Sequence, residues 1–110
     1  MIKSLWEILI PAHSNKGKNF SLEHHKKWDQ KARSISGGLT ILKAGKGEWI
    51  SPEGKKFYDK MIPIRVYCTE KEIDEIIAFT IKHYSQKAVM AYQISKNVKI
   101  VHQENLLLPH

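Results

Sequence analysis

Three observations predict a ferredoxin-like α+β fold, with the order β-α-β-β-α-β. The first is a capped helix over residues 21–36 that stops at Gly37-Gly38 and runs into a strand. The second is the turn Pro52-Glu53-Gly54 between two β-prone stretches, which makes them a hairpin. The third is the capping box Thr69-Glu70-Lys71-Glu72, which opens a second helix over about residues 70–85. Two split crossovers in that order give a four-stranded antiparallel sheet with both helices on one face.

Each element has its own local cause. Leu5–Ile10 is short, apolar and β-prone, and Pro11 ends it. Alternation puts Trp6, Ile8 and Ile10 on one face and Leu5, Glu7 and Leu9 on the other. In the first helix Ser21 is the N-cap, and Leu22, His25, Trp28 or Asp29, Ala32 and Ile35 form the buried stripe. The second strand starts at Leu39–Leu42 and continues, bent, to Ile50, with Gly45 and Gly47 marking a bulge. The third strand ends in Ile62–Cys68, where Pro63 cannot donate to a ladder and makes the hairpin irregular. Ile73, Ile76, Ile77, Thr80, Ile81 and Tyr84 are the buried stripe of the second helix. Ala88–Ser95 is the fourth strand, Lys96-Asn97 a turn, and Val98–Val101 a short extra strand. Residues 1–102 thus form a single domain, and 103–110 read as a tail.

Composition narrows the function. A hydrophobic fraction of 42% over 110 residues suits a modest packed core and argues against disorder. The apolar runs are too short to span a membrane, and the start of the chain lacks a signal-peptide pattern. With one cysteine, Cys68, set among apolar residues, the expectation is a buried thiol in a cytoplasmic protein. The net charge is +7, of which +6 falls in residues 1–60. That asymmetry favours an anionic partner: a nucleotide, a nucleic acid or an acidic protein surface.

Trp28, Gly38-Leu39-Thr40, Gly47-x-Trp49, Gly54 and Gln86-x-Ala88-Val89-Met90 together resemble a family of small uncharacterised bacterial proteins. The resemblance covers nearly the whole domain. It implies a ferredoxin-like fold and no settled activity. The His-His pair and the basic helix depart from that family, and compact basic chains of this size also resemble phage or mobile-element products.

Four constellations are candidates for chemistry. His13, His24 and His25 fall around the start of the first helix, where free N–H groups and the helix dipole suit a phosphate. They are the candidate catalytic residues of a histidine-dependent phosphodiesterase, with Lys16, Lys18 and Lys27 adding charge. The competing reading is that His25 packs in the core with one satisfied nitrogen and His24 is solvated; the phosphate reading instead expects first-turn residues to contribute little to the core. His25 and Asp29, one helical turn apart, could orient an imidazole or join His13 as metal ligands; no metal motif supports the latter, and no cofactor or metal is assigned. Glu48 and Trp49 lie on a glycine-flanked corner, suited to stack a base or to cap the core edge. Leu5, Glu7, Leu9, Arg65 and Tyr67 lie on the open sheet face, where Glu7 and Arg65 can pair and a homodimer could form.

The preferred expectation is a cytoplasmic homodimer that binds, and could hydrolyse, a phosphorylated small ligand such as a nucleotide or cyclic nucleotide. The alternatives are a nucleic-acid-binding module and a ligand-free dimeric adaptor. No membrane association is expected.

Overall fold

The computed structural model describes residues 2–50, 52 and 56–105; the side chains of 46–50, 56–59 and 105 fall outside that description. The chain forms β1 (Lys3–Pro11), α1 (Leu22–Ser36), β2 (Thr40–Ile41), β3 (Gly45–Ile50), β4 (Lys56–Thr69), α2 (Glu70–His83) and β5 (Ala91–Ser95), then a 3-10 turn at Gln103–Asn105. The sheet is antiparallel in the order β2-β4-β1-β5, with β3 also paired to β4. Taking β2 and β3 as one bent strand, this is the expected ferredoxin-like βαββαβ arrangement.

The helix ends follow the expected chemistry. Ser21 accepts from the His24 backbone N–H, and Gly37 takes φ 90° as its N–H donates to the Arg33 carbonyl at 2.7 Å. That left-handed conformation is cheap only for glycine. The Thr69–Glu72 box is complete in both directions, and it holds the Glu72 carboxyl below its ordinary range through the Thr69 backbone bond.

The strand is broken rather than bulged: residues 42–44 lie outside β2 and β3, ahead of Gly45 and Gly47, which pair in regular register with β4. Ile41 faces Ile64 while Gly45 faces Met61, so one extra residue enters between Leu42 and Gly45. The Leu42 N–H donates to the Pro63 carbonyl, so Pro63 turns its hydrogen-bonding side toward this junction. Its missing N–H coincides with the slip, whereas on the β1 side the register runs unbroken from Lys3↔Thr69 to Pro11↔Met61. The turn expected at Pro52-Glu53-Gly54 lies mostly outside the described residues, although Ile50 pairs with Lys56 across it.

Two expectations near the C-terminal end are corrected. The last strand begins at Ala91, not Ala88, and Val98–Val101 is irregular rather than a strand. A strand needs a neighbour, and β5 is the sheet edge, with β1 its partner among the described residues. Ile100 and Val101 are both 62% exposed.

The core lies between the helices and one sheet face. Ile8, Ile10, Ile64, Val66 and Cys68 from the sheet meet Trp28, Ala32, Ile73, Ile76 and Tyr84 from the helix side. Trp28 is fully buried, and its indole N–H donates to Thr80 Oγ1 at 2.8 Å. Burial pushes the Cys68 thiol up to about 11, so it stays a protonated, unreactive packing group. No helix among the described residues is long and apolar enough to cross a membrane.

Candidate functional site

The first-turn histidines of α1 face α2. His24 Nε2–H donates to the His83 carbonyl at 2.8 Å, and His83 Nε2–H donates to the His24 carbonyl at 2.7 Å. Their rings stack at 3.8 Å, flanked by Phe20 on His24 and Phe79 on His83. His25 Nδ1 shares a 2.7 Å hydrogen bond with the Tyr84 hydroxyl. This seam joins the start of α1 to the end of α2. The first-turn rings are therefore fold contacts, contrary to the expectation that they add little.

Burial, then the neighbouring His24, lowers the His25 pKa, with Asp29 opposing. Burial raises the Asp29 carboxyl despite Arg33 and His25. His25 meets Tyr84 through Nδ1, and Asp29 acts on it only through charge. Tyr84 is raised, first by burial and then by Asp29.

The third candidate histidine, His13, shares none of the hydrogen bonds or ring stacks described for that seam. His13 forms a bridge with Asn19, and its Nδ1 is buried with no hydrogen-bond partner among the described residues. The intervening loop closes on Ser14, whose Oγ accepts from the backbone N–H groups of Lys16 and Lys18. Asn15 ties it to the Ser85 carbonyl at 3.1 Å. Lys16, Lys18 and Lys27 are exposed. Glu48 and Trp49 lie on β3, opposite Tyr58 and Phe57, and their side chains are outside the described set. Among the described residues no three His, Cys, Asp or Glu side chains are grouped to hold a metal.

The open sheet face carries a second arrangement. Tyr92, Glu7, Arg65 and Thr40 form one cross-strand row over β5, β1, β4 and β2. Glu7 is 8% exposed, and Arg65 Nε donates to its Oε1 at 3.1 Å. The Tyr92 hydroxyl donates to the other carboxylate oxygen. In the next row Leu5 faces Tyr67, and Lys3 Nζ lies 5.8 Å from the centre of the Tyr67 ring. Gly37 turns the chain at the end of α1, so that residues 36–40 meet this face. Together with Lys3, Leu5, Arg65 and Tyr67 they line a cleft of about 360 Å³.

The Glu7–Arg65 pair follows from alternation and strand order, as expected. Tyr84 is buried as its place on the stripe of the second helix predicts, while its bond to His25 and the contacts of Tyr92 and His83 go beyond that pattern. Gly-Gly before a strand, opposite a basic strand residue, was the available signal for the cleft. No local signal marks Tyr92, which is 85 residues from Glu7.

The fold and the cleft define a small ferredoxin-like α+β protein with an open cleft of mixed polar and apolar lining beside its open sheet face. No protein-family profile matches the chain, and no curated protein matches it in sequence. Solved structures do resemble it. One is a phage SAM lyase in complex with S-methyl-5'-thioadenosine, at 11% identity over 86% of this chain and 82% of that one, TM-score 0.66. Another is the divalent cation tolerance protein CutA1 of Thermus thermophilus, at 10% identity, 93% and 89% coverage, TM-score 0.64. The periplasmic divalent cation tolerance protein CutA of Archaeoglobus fulgidus is similar at 14% identity, 93% and 89% coverage, TM-score 0.62. These likenesses establish the fold.

Proposed function

We propose that this chain binds a phosphorylated ligand of mononucleotide size in the cleft between residues 36–40 and the open sheet face. One observation carries the reading: two cationic side chains, Lys3 and Arg65, line that cleft together with Tyr67, and a nearly buried carboxylate anchors Arg65. A guanidinium suits a phosphate, and a tyrosine face suits a base. The volume lies at the small end of ligand sites, roughly 300–1,000 Å³, which favours one nucleotide over a dinucleotide. The surplus positive charge supports the phosphate, and a solved structure of this fold that holds S-methyl-5'-thioadenosine supports the adenosine part.

Binding is the reading, rather than hydrolysis. A phosphodiesterase built on His13, His24 and His25 would have to release the His24 and His25 rings from contacts that join the helices. A second binding position at the start of α1 has one observation in its favour: the Ser14 turn and the Asn15–Ser85 bond hold exposed Lys16 and Lys18 in a fixed loop near it.

The test is a calorimetric titration of AMP, S-methyl-5'-thioadenosine and single-stranded oligonucleotides into the parent and Arg65→Ala. We expect saturable AMP binding, at least about tenfold weaker in the variant, the size of a lost charge-assisted bond. Affinity that climbs with oligonucleotide length and falls steeply with salt would favour the nucleic-acid module instead.

The homodimer is likewise a proposal. Tyr92 and Ile94 of β5, and Met90 just before it, are 41%, 40% and 63% exposed, beside the half-buried Leu5 and Leu9. Burial of that apolar surface in a second copy would account for it.

A further inference from the structure

We infer that Tyr92 and Glu7 are positioning residues for the anion contact: they set the direction of Arg65 and so fix how strongly the cleft distinguishes a phosphorylated ligand from its neutral counterpart. This rests on the cleft reading above.

The physical reason begins with the cost of Glu7. Position 7 lies in a strand of Leu, Trp and Ile, on a sheet face where an apolar side chain would pack without penalty. A carboxylate that is 8% exposed loses most of its hydration, a heavy penalty unless its oxygens are matched. Here each oxygen has a donor from a different neighbouring strand: Arg65 on β4 and Tyr92 on β5. The two donors constrain each other through the carboxylate. Tyr92 fixes Oε2, which fixes the carboxylate plane, and Oε1 then holds Arg65 by Nε.

Nε is the guanidinium nitrogen nearest the chain. A bond there sets the plane of the group, and the two terminal nitrogens lie further along the side chain. The Arg65 side chain remains 46% exposed, at the cleft wall. A guanidinium held in one plane loses less freedom on meeting a phosphate than a free one. Tyr92 does not line the cleft, so its effect on the ligand passes through Glu7 and Arg65.

The experiment compares the affinities of AMP and adenosine for the parent, Tyr92→Phe, Glu7→Gln and Arg65→Lys. The readout is their ratio, because a purely structural role would weaken both ligands together. Thermal melting of each variant checks the fold, and Glu7→Gln preserves side-chain shape if Tyr92→Phe melts early. We expect the AMP-to-adenosine preference to fall about tenfold in each variant, while adenosine affinity moves less than about twofold. If Arg65→Lys lowers the preference but Tyr92→Phe and Glu7→Gln keep the parent's ratio, the positioning role is wrong and the cleft stands. If the parent does not bind AMP, the cleft reading fails and the positioning role fails with it.

Discussion

Trp28 and Thr80 show how one buried polar pair constrains both helices. The indole N–H donates to Thr80 Oγ1, whose own hydroxyl donates to the Ile76 carbonyl at 2.6 Å. Thr80→Val keeps the shape and strands the indole N–H in a dry core. It should cost about 1–3 kcal/mol in chemical denaturation, the usual size for an unsatisfied buried donor. Trp28→Ala should cost about 3–5 kcal/mol by leaving a cavity. A Thr80→Val protein as stable as the parent would mean that the indole finds another partner. His25 adds a pH dependence. Its folded pKa is lowered from 6.5, so the unfolded chain takes up the proton first as pH falls. Its contribution is therefore fully present above the unfolded value and is lost as pH drops below about 6.5. Denaturation midpoints at pH 7.5 and 5.5 should differ by more in the parent than in His25→Gln; an equal difference would remove His25 from the account.

At the scale of elements, what could be read from the sequence depended on how local its cause was. The start and stop of α1, and the capping box of α2, are set by residues within one turn, and they were readable. Gly37 is the clearest case. Gly37→Ala at φ 90° should cost about 1 kcal/mol through backbone strain alone, since a Cβ there would meet no atom within 4 Å. Equilibrium unfolding checks that value, and an unchanged midpoint would show that the helix can end another way. The limits of β5 and the irregular run at residues 98–101 depend on which strand lies alongside, which pattern alone does not fix. The same holds for the α1–α2 seam. His24 and His83 are 59 residues apart, and nothing near either one predicts their reciprocal bonds. Alternation did reveal Glu7 and Arg65, because strand order makes them neighbours; the Tyr92 contact also required the register of β5.

For the whole molecule, the charge of +7 and the open sheet face are the features left to function. Self-association through that face predicts a dimer by light scattering at high concentration, and Leu9→Lys should split it, because burying an unpaired charge is costly. A parent that scatters as a monomer would leave the face to the ligand alone. The central claim is the location of binding, and amide chemical-shift mapping during an AMP titration tests it most directly. The account predicts that the largest shifts fall on Lys3, Leu5, residues 36–40, Arg65 and Tyr67, with smaller ones on Glu7 and Tyr92. Shifts concentrated instead on residues 13–27, around His13, His24, Lys16 and Lys18, would contradict it and place the anion at the start of α1.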